Sequence, residues 1–330
     1  MSQDLSRSKA LIAQSLVWDN HGCMPLRAND EFLPQLERYR QAGFSVASLN
    51  VGFDQFDWHH TFRIIAHFRS WIERHPEHYV LAESAAAIEE AQRTHKLAIF
   101  FDIEGGCAID DQISLIPTYY DLGVRWMLLA YNSNNRLGGG CHDDDCGLTE
   151  FGKQALAEMA RVGMVACCSH VGQRTALETM AYSSNPVILS HSNPRTMWDH
   201  PRNVRDEVLK ACAASGGVMG LNGIGIFLGD NEATAQRYVE HVDYAVQLIG
   251  PDHIGIGLDY VFDMQELDDY VRQHPELFPP EHGYKSGINM IPPDAIAAIV
   301  DVMLARSYPE EDIKKILGGN FLRVAQAVWK

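Results

Sequence analysis

The chain has 330 residues, 46% of them hydrophobic, which is enough to bury a large core. Its formal net charge of −16 repels phosphate backbones and anionic lipid, and so argues against nucleic acid or a membrane surface as partner. Seven cysteines, two of them adjacent at Cys167 and Cys168, imply no disulfide framework and fit a reducing compartment.

Met1 to Ala13 is polar and lacks a charged-then-apolar leader, and no apolar run reaches membrane-spanning length. A cytoplasmic protein is therefore expected. Ser15 to Asp19 is a short apolar run that breaks into Asn20, His21, Gly22 and Cys23. Glu31 to Ala42 has helical spacing, with Phe32, Leu33, Leu36 and Tyr39 on one face. Ser45 to Val51 reads as a strand, and Asp57 to His75 and Ser84 to Thr94 as helices. Lys96 to Ile103 is a buried strand followed by Glu104; Ile113 to Leu122 is a short helix. Val124 to Ala130 is the next strand and ends at Tyr131. After a glycine-rich loop, Gly138 to Gly147, comes a helix from Thr149 to Val162, with Thr149 as N-cap and Gly163 as C-cap.

Two strands follow, Val165 to Val171 and Val187 to Ser192, separated by a helix-length segment, Gly172 to Tyr182. Val204 to Ala214 reads as helix, Val218 to Asn222 as strand, Ala233 to Ile249 as helix and His253 to Asp259 as the eighth strand. Pro292 to Ala305, Glu310 to Leu317 and Asn320 to Val328 close the chain as helices. The strands are near-continuous apolar runs, as strands covered on both faces should be. The expected fold is an α/β (β/α)8 TIM barrel, with residues 1–330 as one domain ending in closing helices.

Chemistry in such a barrel gathers at the C-terminal strand ends, and the polar residues here obey that rule. Two strands each end in Ser-His, Ser169-His170 and Ser190-His191, which brings two imidazoles to equivalent positions. Neutral nitrogens on rigid backbone are what zinc takes. His21 and Cys23 are two residues apart and point to one side of an extended backbone. Glu104 ends a buried strand, where an unpaired carboxylate is costly, and its two oxygens can bridge two metals. The reading is a two-metal hydrolase: His21 and Cys23 at one site, His170 and His191 at the other, Glu104 between. Asp259 ends the eighth strand and can carry the proton from water to a leaving amine. Arg202 suits a substrate carboxylate through its planar fork, although from the residues alone a surface salt bridge is the plainer reading. Cys141, His142, Asp143 to Asp145 and Cys146 could form a metal clip; a polar surface loop fits their spacing better.

At these positions the sequence resembles the membrane (renal) dipeptidase family of the amidohydrolase superfamily. The resemblance rests on Asp19 to Leu26, Asp102 to Gly106, Ser169-His170, Ser190 to Asn193, Arg202-Asn203, Gly255 to Asp259 and Gly318 to Arg323, in matching order along nearly the whole chain. It implies a barrel holding two zinc ions and hydrolysing dipeptides, with tolerance for a C-terminal D-residue. It would give His21 the first zinc, Glu104 the bridge, and His170 and His191 the second zinc. Arg202 would hold the substrate's terminal carboxylate and Asp259 would carry the proton. The family is often dimeric.

Three positions depart from the family pattern. Cys23 stands where the family has Asp, and is either a softer, more donating ligand or a buried residue that binds nothing. Tyr131 stands where the family has a His that contacts the developing oxyanion; a phenol can donate a hydrogen bond there but brings no positive charge. The lining after Asp259 is Tyr260, Val261 and Phe262 in place of Phe-Asp-Gly. The expected function is thus a zinc dipeptidase acting on a small molecule. The alternatives are an amidohydrolase for N-acyl amino acids or related metabolites, and a non-catalytic relative with one metal lost.

Overall fold

The computed structural model describes residues 6–330; Met1 to Leu5, part of the segment read for a leader, lie outside the described residues. Eight strands close into a barrel: β1 (Trp18–Cys23), β2 (Val46–Phe53), β3 (Leu97–Glu104), β4 (Val124–Leu128), β5 (Val165–Cys167), β6 (Val187–Ser192), β7 (Met219–Leu221) and β8 (Ile254–Ile256). Every neighbouring pair is parallel and follows chain order, and β8 returns to β1 with Ile256 opposite Asp19. Parallel pairing requires a crossover between strands, and helices supply it. The arrangement is a (β/α)8 barrel. Among the described residues, no helix is long and apolar enough to cross a membrane.

Alternation along the strands sorts the core. Ala98 and Phe100, Trp126 and Leu128, and Val165 and Cys167 share one cluster inside the barrel. The last helix, Asn320–Val328, adds Phe321, Val324 and Val328 to that cluster, so the closing helix plugs one end. Trp18 lies 5.9 Å from both Phe321 and Trp329, ring to ring. The larger cluster fills the layer between barrel and outer helices.

Four strand pairings shift register, two of them around His21 and His191. The β1–β2 pairing shifts between Asp19 and Gly22, and the β6–β7 pairing between Leu189 and Ser192. Such irregularities re-aim side chains, and His21 and His191 sit inside them. Asp19 pins the seam: one oxygen accepts from the Leu258 N–H at 2.8 Å and the other from the Tyr39 hydroxyl at 2.7 Å. Burial pushes its carboxyl up to about 6.

Several boundaries differ from the expected ones. His21, Glu104 and His191 lie within strands, whereas His170 and Asp259 lie beyond strands shorter than their apolar runs. Glu31 to Ala42 is a tight 3₁₀ turn over Leu33–Leu36 and only then an α-helix, Glu37–Ala42. Pro34 accounts for the delay, because it lacks an N–H. Beyond Lys314 the chain winds a wider turn, Lys315–Gly319, before the last helix. A strand at Tyr79–Leu81, a turn of helix at Gly225–Leu228, a strand at Tyr260–Val261 and a helix at Met264–Gln273 have no counterpart in the sequence reading. The caps do: Thr149 accepts from the Gly152 N–H, and Gly163 is left-handed at φ +94°.

Close backbone approach fixes one glycine. A Cβ on Gly257 would stand 2.0 Å from the Ser190 carbonyl oxygen, and this contact is backbone that cannot swing away. Gly257→Ala should cost about 1–3 kcal/mol. A lowered urea midpoint with unchanged slope would show it.

Candidate metal centre

Glu104 Oε1 lies 3.1 Å from His191 Nε2, 3.3 Å from His170 Nε2 and 3.5 Å from His21 Nε2. That oxygen is buried and has no hydrogen-bond donor. The Nε2 atoms of His170 and His191 are themselves 3.0 Å apart. The far nitrogen of each ring is engaged. His170 Nδ1 meets Asn132 Oδ1 at 2.7 Å, His191 Nδ1 meets Ser190 Oγ at 2.8 Å and His21 Nδ1 meets Asp102 at 3.2 Å. Asn132 Oδ1 only accepts, so Nδ1 of the neutral His170 carries the proton and its Nε2 presents a lone pair, while His21 Nδ1 donates to the Asp102 carboxylate. A nitrogen lone pair facing an unpartnered carboxylate oxygen in a dry pocket is repelled by it, and a cation removes that cost.

Charge tells the same story. Burial, then the nearby His21 and Arg202, holds His191 well below the usual imidazole range; His170 is low for the same reasons. Both stay neutral, as ligands must. Burial pushes Glu104 up to about 8 and Asp259 upward, each pulled partly back by His21. Burial opposes a charge on His21, but Glu104, Cys23 and Asp102 outweigh it and raise this imidazole well above its usual range. Carboxyl and thiol groups are thus crowded here against burial that disfavours their charge, and a bound cation would offset that cost. Imidazole, carboxylate and thiol donors in this arrangement suit zinc.

Cys23 Sγ is 3.4 Å from His21 Nε2 and 3.5 Å from Asp259 Oδ1. Two ligand groups result, His21–Cys23–Asp259 and His21–Glu104–His191. Asp259 is held by the Asn222 amide at 2.8 Å, and its own N–H donates to the His21 carbonyl at 3.0 Å. Its φ of +58° is uncommon for a residue with a side chain, and the surrounding bonds maintain it.

Sequence reasoning left the supporting groups without roles. Asn50 donates to Asp102 at 3.1 Å and to Glu104 Oε2 at 3.3 Å, and the Ser48 hydroxyl donates to Asp102 at 2.5 Å. Asp102 was within reach, since it precedes Glu104 by two on a buried strand and must share its face. Asn132 carries no such signal.

Arg202 is 1% exposed and runs beneath the two Ser-His strands. Its Nη1 donates to the Ser169 carbonyl at 2.5 Å and its Nη2 to the His191 carbonyl at 3.0 Å; Nε has no partner. It lines a cavity beside the barrel mouth rather than the mouth itself. The Tyr131 ring stacks on His170, with centroids 4.2 Å apart. The Cys141 to Cys146 loop assembles no ligand group among the described residues. Its acids bind backbone instead, with Asp143 accepting from Asn134 and Asp145 from Arg174 and Thr175.

The family described as membrane dipeptidase (Peptidase family M19) matches residues 6–279. The chain is 32% identical over 254 residues to an uncharacterized dipeptidase of Schizosaccharomyces pombe, covering 74% of this chain and 55% of that protein. It thus spans about half the length of that relative. It is 28% identical over 307 residues to Dipeptidase verJ of Clonostachys rogersoniana, covering 90% of this chain and 71% of that one. Among solved structures, an amidohydrolase from Pseudomonas aeruginosa superposes with a TM-score of 0.86 at 29% identity, over 98% of this chain and 99% of the other.

Proposed function

Because the chain belongs to the membrane dipeptidase family, Peptidase family M19, we propose that it is a zinc-dependent dipeptidase. Its substrates are dipeptides with a free C-terminal carboxylate, and a D-residue is tolerated at that position. The observation that carries this reading is Glu104 Oε1, buried without a donor within 3.5 Å of three imidazole nitrogens. His21 and Cys23 would hold one ion, His170 and His191 a second, and Glu104 would bridge them. Zinc there supplies Lewis acidity toward the scissile carbonyl and the attacking water.

The chain's own groups do the rest. Hydrolysis adds water across the C–N bond: oxygen goes to the carbonyl carbon and a proton to the departing nitrogen. Asp259 takes the proton from water and delivers it to that nitrogen. Burial raises its carboxyl, which suits a group that must both accept and give a proton. Tyr131, stacked on His170, offers a phenol toward the substrate carbonyl. Assaying dipeptides beside N-acyl amino acids tests this reading. The second reading, N-acyl amino acid hydrolysis, draws on the apolar lining of the barrel mouth and wins if only the acylated compounds are cleaved.

Both Arg202 Nη atoms are held by backbone carbonyls, so its buried, unpartnered Nε–H is the donor left for a substrate carboxylate. Dipeptides should then exceed their C-terminal amides in kcat/KM by about ten- to a hundredfold. Arg202→Lys should erase that preference, because lysine has no N–H at the Nε position. Equal losses on acid and amide would make Arg202 a positioning residue for the Ser169 and His191 backbone.

Cys23 decides the metal count. As a ligand it gives two zinc ions per chain in the parent, one in Cys23→Ser and two in Cys23→Asp, by elemental analysis. The carboxylate donates less charge than thiolate, so Cys23→Asp should also raise kcat/KM for dipeptides. Zinc should slow alkylation of Cys23 in the parent. Equal alkylation with and without zinc removes Cys23 from the centre.

A further inference from the structure

Glu104, His170, Asp259 and Cys23 form the floor of a cavity of about 180 Å³ at the barrel mouth. One wall is aromatic and closed on itself. Phe53 meets Tyr131 at 5.1 Å between ring centroids, Tyr131 meets Phe278 at 6.5 Å, Phe278 meets Tyr270 at 5.9 Å and Tyr270 returns to Phe53 at 5.7 Å. These are ordinary aromatic contact distances, so the rings brace one another. Phe53, Tyr131 and Tyr270 are only partly buried and line the cavity. The wall is continuous with the metal centre, because Tyr131 lies flat on His170. Tyr270 comes from the helix Met264–Gln273, which covers the mouth just after Asp259.

Charge completes the picture. The carboxylates that line this mouth are Glu104, Asp259 and Glu266, and among the described residues no lysine or arginine lines it. Beyond the groups assigned to the metals, an acidic substrate side chain would meet Glu266 and no lysine or arginine among the described residues, in apolar surroundings. A large uncharged side chain would cover the partly buried rings and remove their remaining apolar surface from water.

We propose that Phe53, Tyr131, Tyr270 and Phe278 form the side-chain subsite of this centre, selecting dipeptides that bear a large aromatic or branched aliphatic residue and rejecting acidic ones. The inference rests on the dipeptidase reading and adds the substrate class to it. Burying a large apolar side chain in place of none favours binding by about ten- to a hundredfold.

The test is a kcat/KM panel on the zinc-loaded protein with X-Ala and Ala-X dipeptides, X being Gly, Leu, Phe or Asp. Phe and Leu should exceed Gly by about ten- to a hundredfold at one of the two positions, with Asp no better than Gly. Tyr270→Ala should shrink the Phe-to-Gly ratio severalfold while zinc content matches the parent; Tyr270→Phe should restore it. Phe53→Leu should shrink the same ratio and guards against a Tyr270→Ala protein that does not fold. A flat panel, a preference for Asp, or a parental ratio in both Tyr270→Ala and Phe53→Leu overturns the subsite while leaving a dipeptidase. No cleavage of any dipeptide overturns the dipeptidase reading and the subsite with it.

Discussion

Replacing Glu104 by glutamine should strip most of the zinc and lower dipeptide hydrolysis by at least about 10³-fold. The substitution keeps size and shape, so packing on β3 survives. It removes the charge from the one oxygen that three imidazole nitrogens approach. A neutral amide bridges two cations poorly, and its NH₂ face would point a donor at them. His191→Ala should have a similar effect on zinc, since His191 Nε2 makes the shortest of those approaches, at 3.1 Å. Elemental analysis of both variants beside the parent checks this, and parental zinc content would remove Glu104 and His191 from the centre.

Asp259→Asn should behave differently. It removes a proton carrier and leaves Glu104, His170 and His191 in place, so zinc at their site should stay near parental levels. General acid–base work of this kind is worth about 10²–10⁴-fold, and the loss should fall on kcat with KM nearly unchanged. The Asn222 amide donates to Asp259 Oδ2 in the parent, and an asparagine oxygen can still accept there, so the φ of +58° should persist. A variant that retains kcat would move the proton to another group.

The sequence revealed the barrel because its strands are covered on both faces and carry long apolar runs. It singled out His170 and His191, whose Nε2 atoms the fold brings 3.0 Å apart, because the same Ser-His pair ends two such runs. Strand boundaries were less legible, since the register shifts around Gly22 and Ser192 are set by three-dimensional crowding. The helix Met264–Gln273 was invisible for a physical reason. Val271 is its one buried residue, and Leu267 and Tyr270 are only partly buried, packing against a small cluster at the mouth rather than the main core. The Arg202 bonds to the Ser169 and His191 carbonyls could not be read, because backbone acceptors leave no mark in a sequence.

The central claim is that this metal centre hydrolyses dipeptides, and reconstitution tests it most directly. Chelated protein, shown free of metal, is assayed on Phe-Ala and Ala-Phe, then titrated with zinc. Cleavage should be absent without metal, rise with added zinc, and reach its plateau when the second ion per chain is bound. Full cleavage by metal-free protein, or none at any zinc level, would contradict the account.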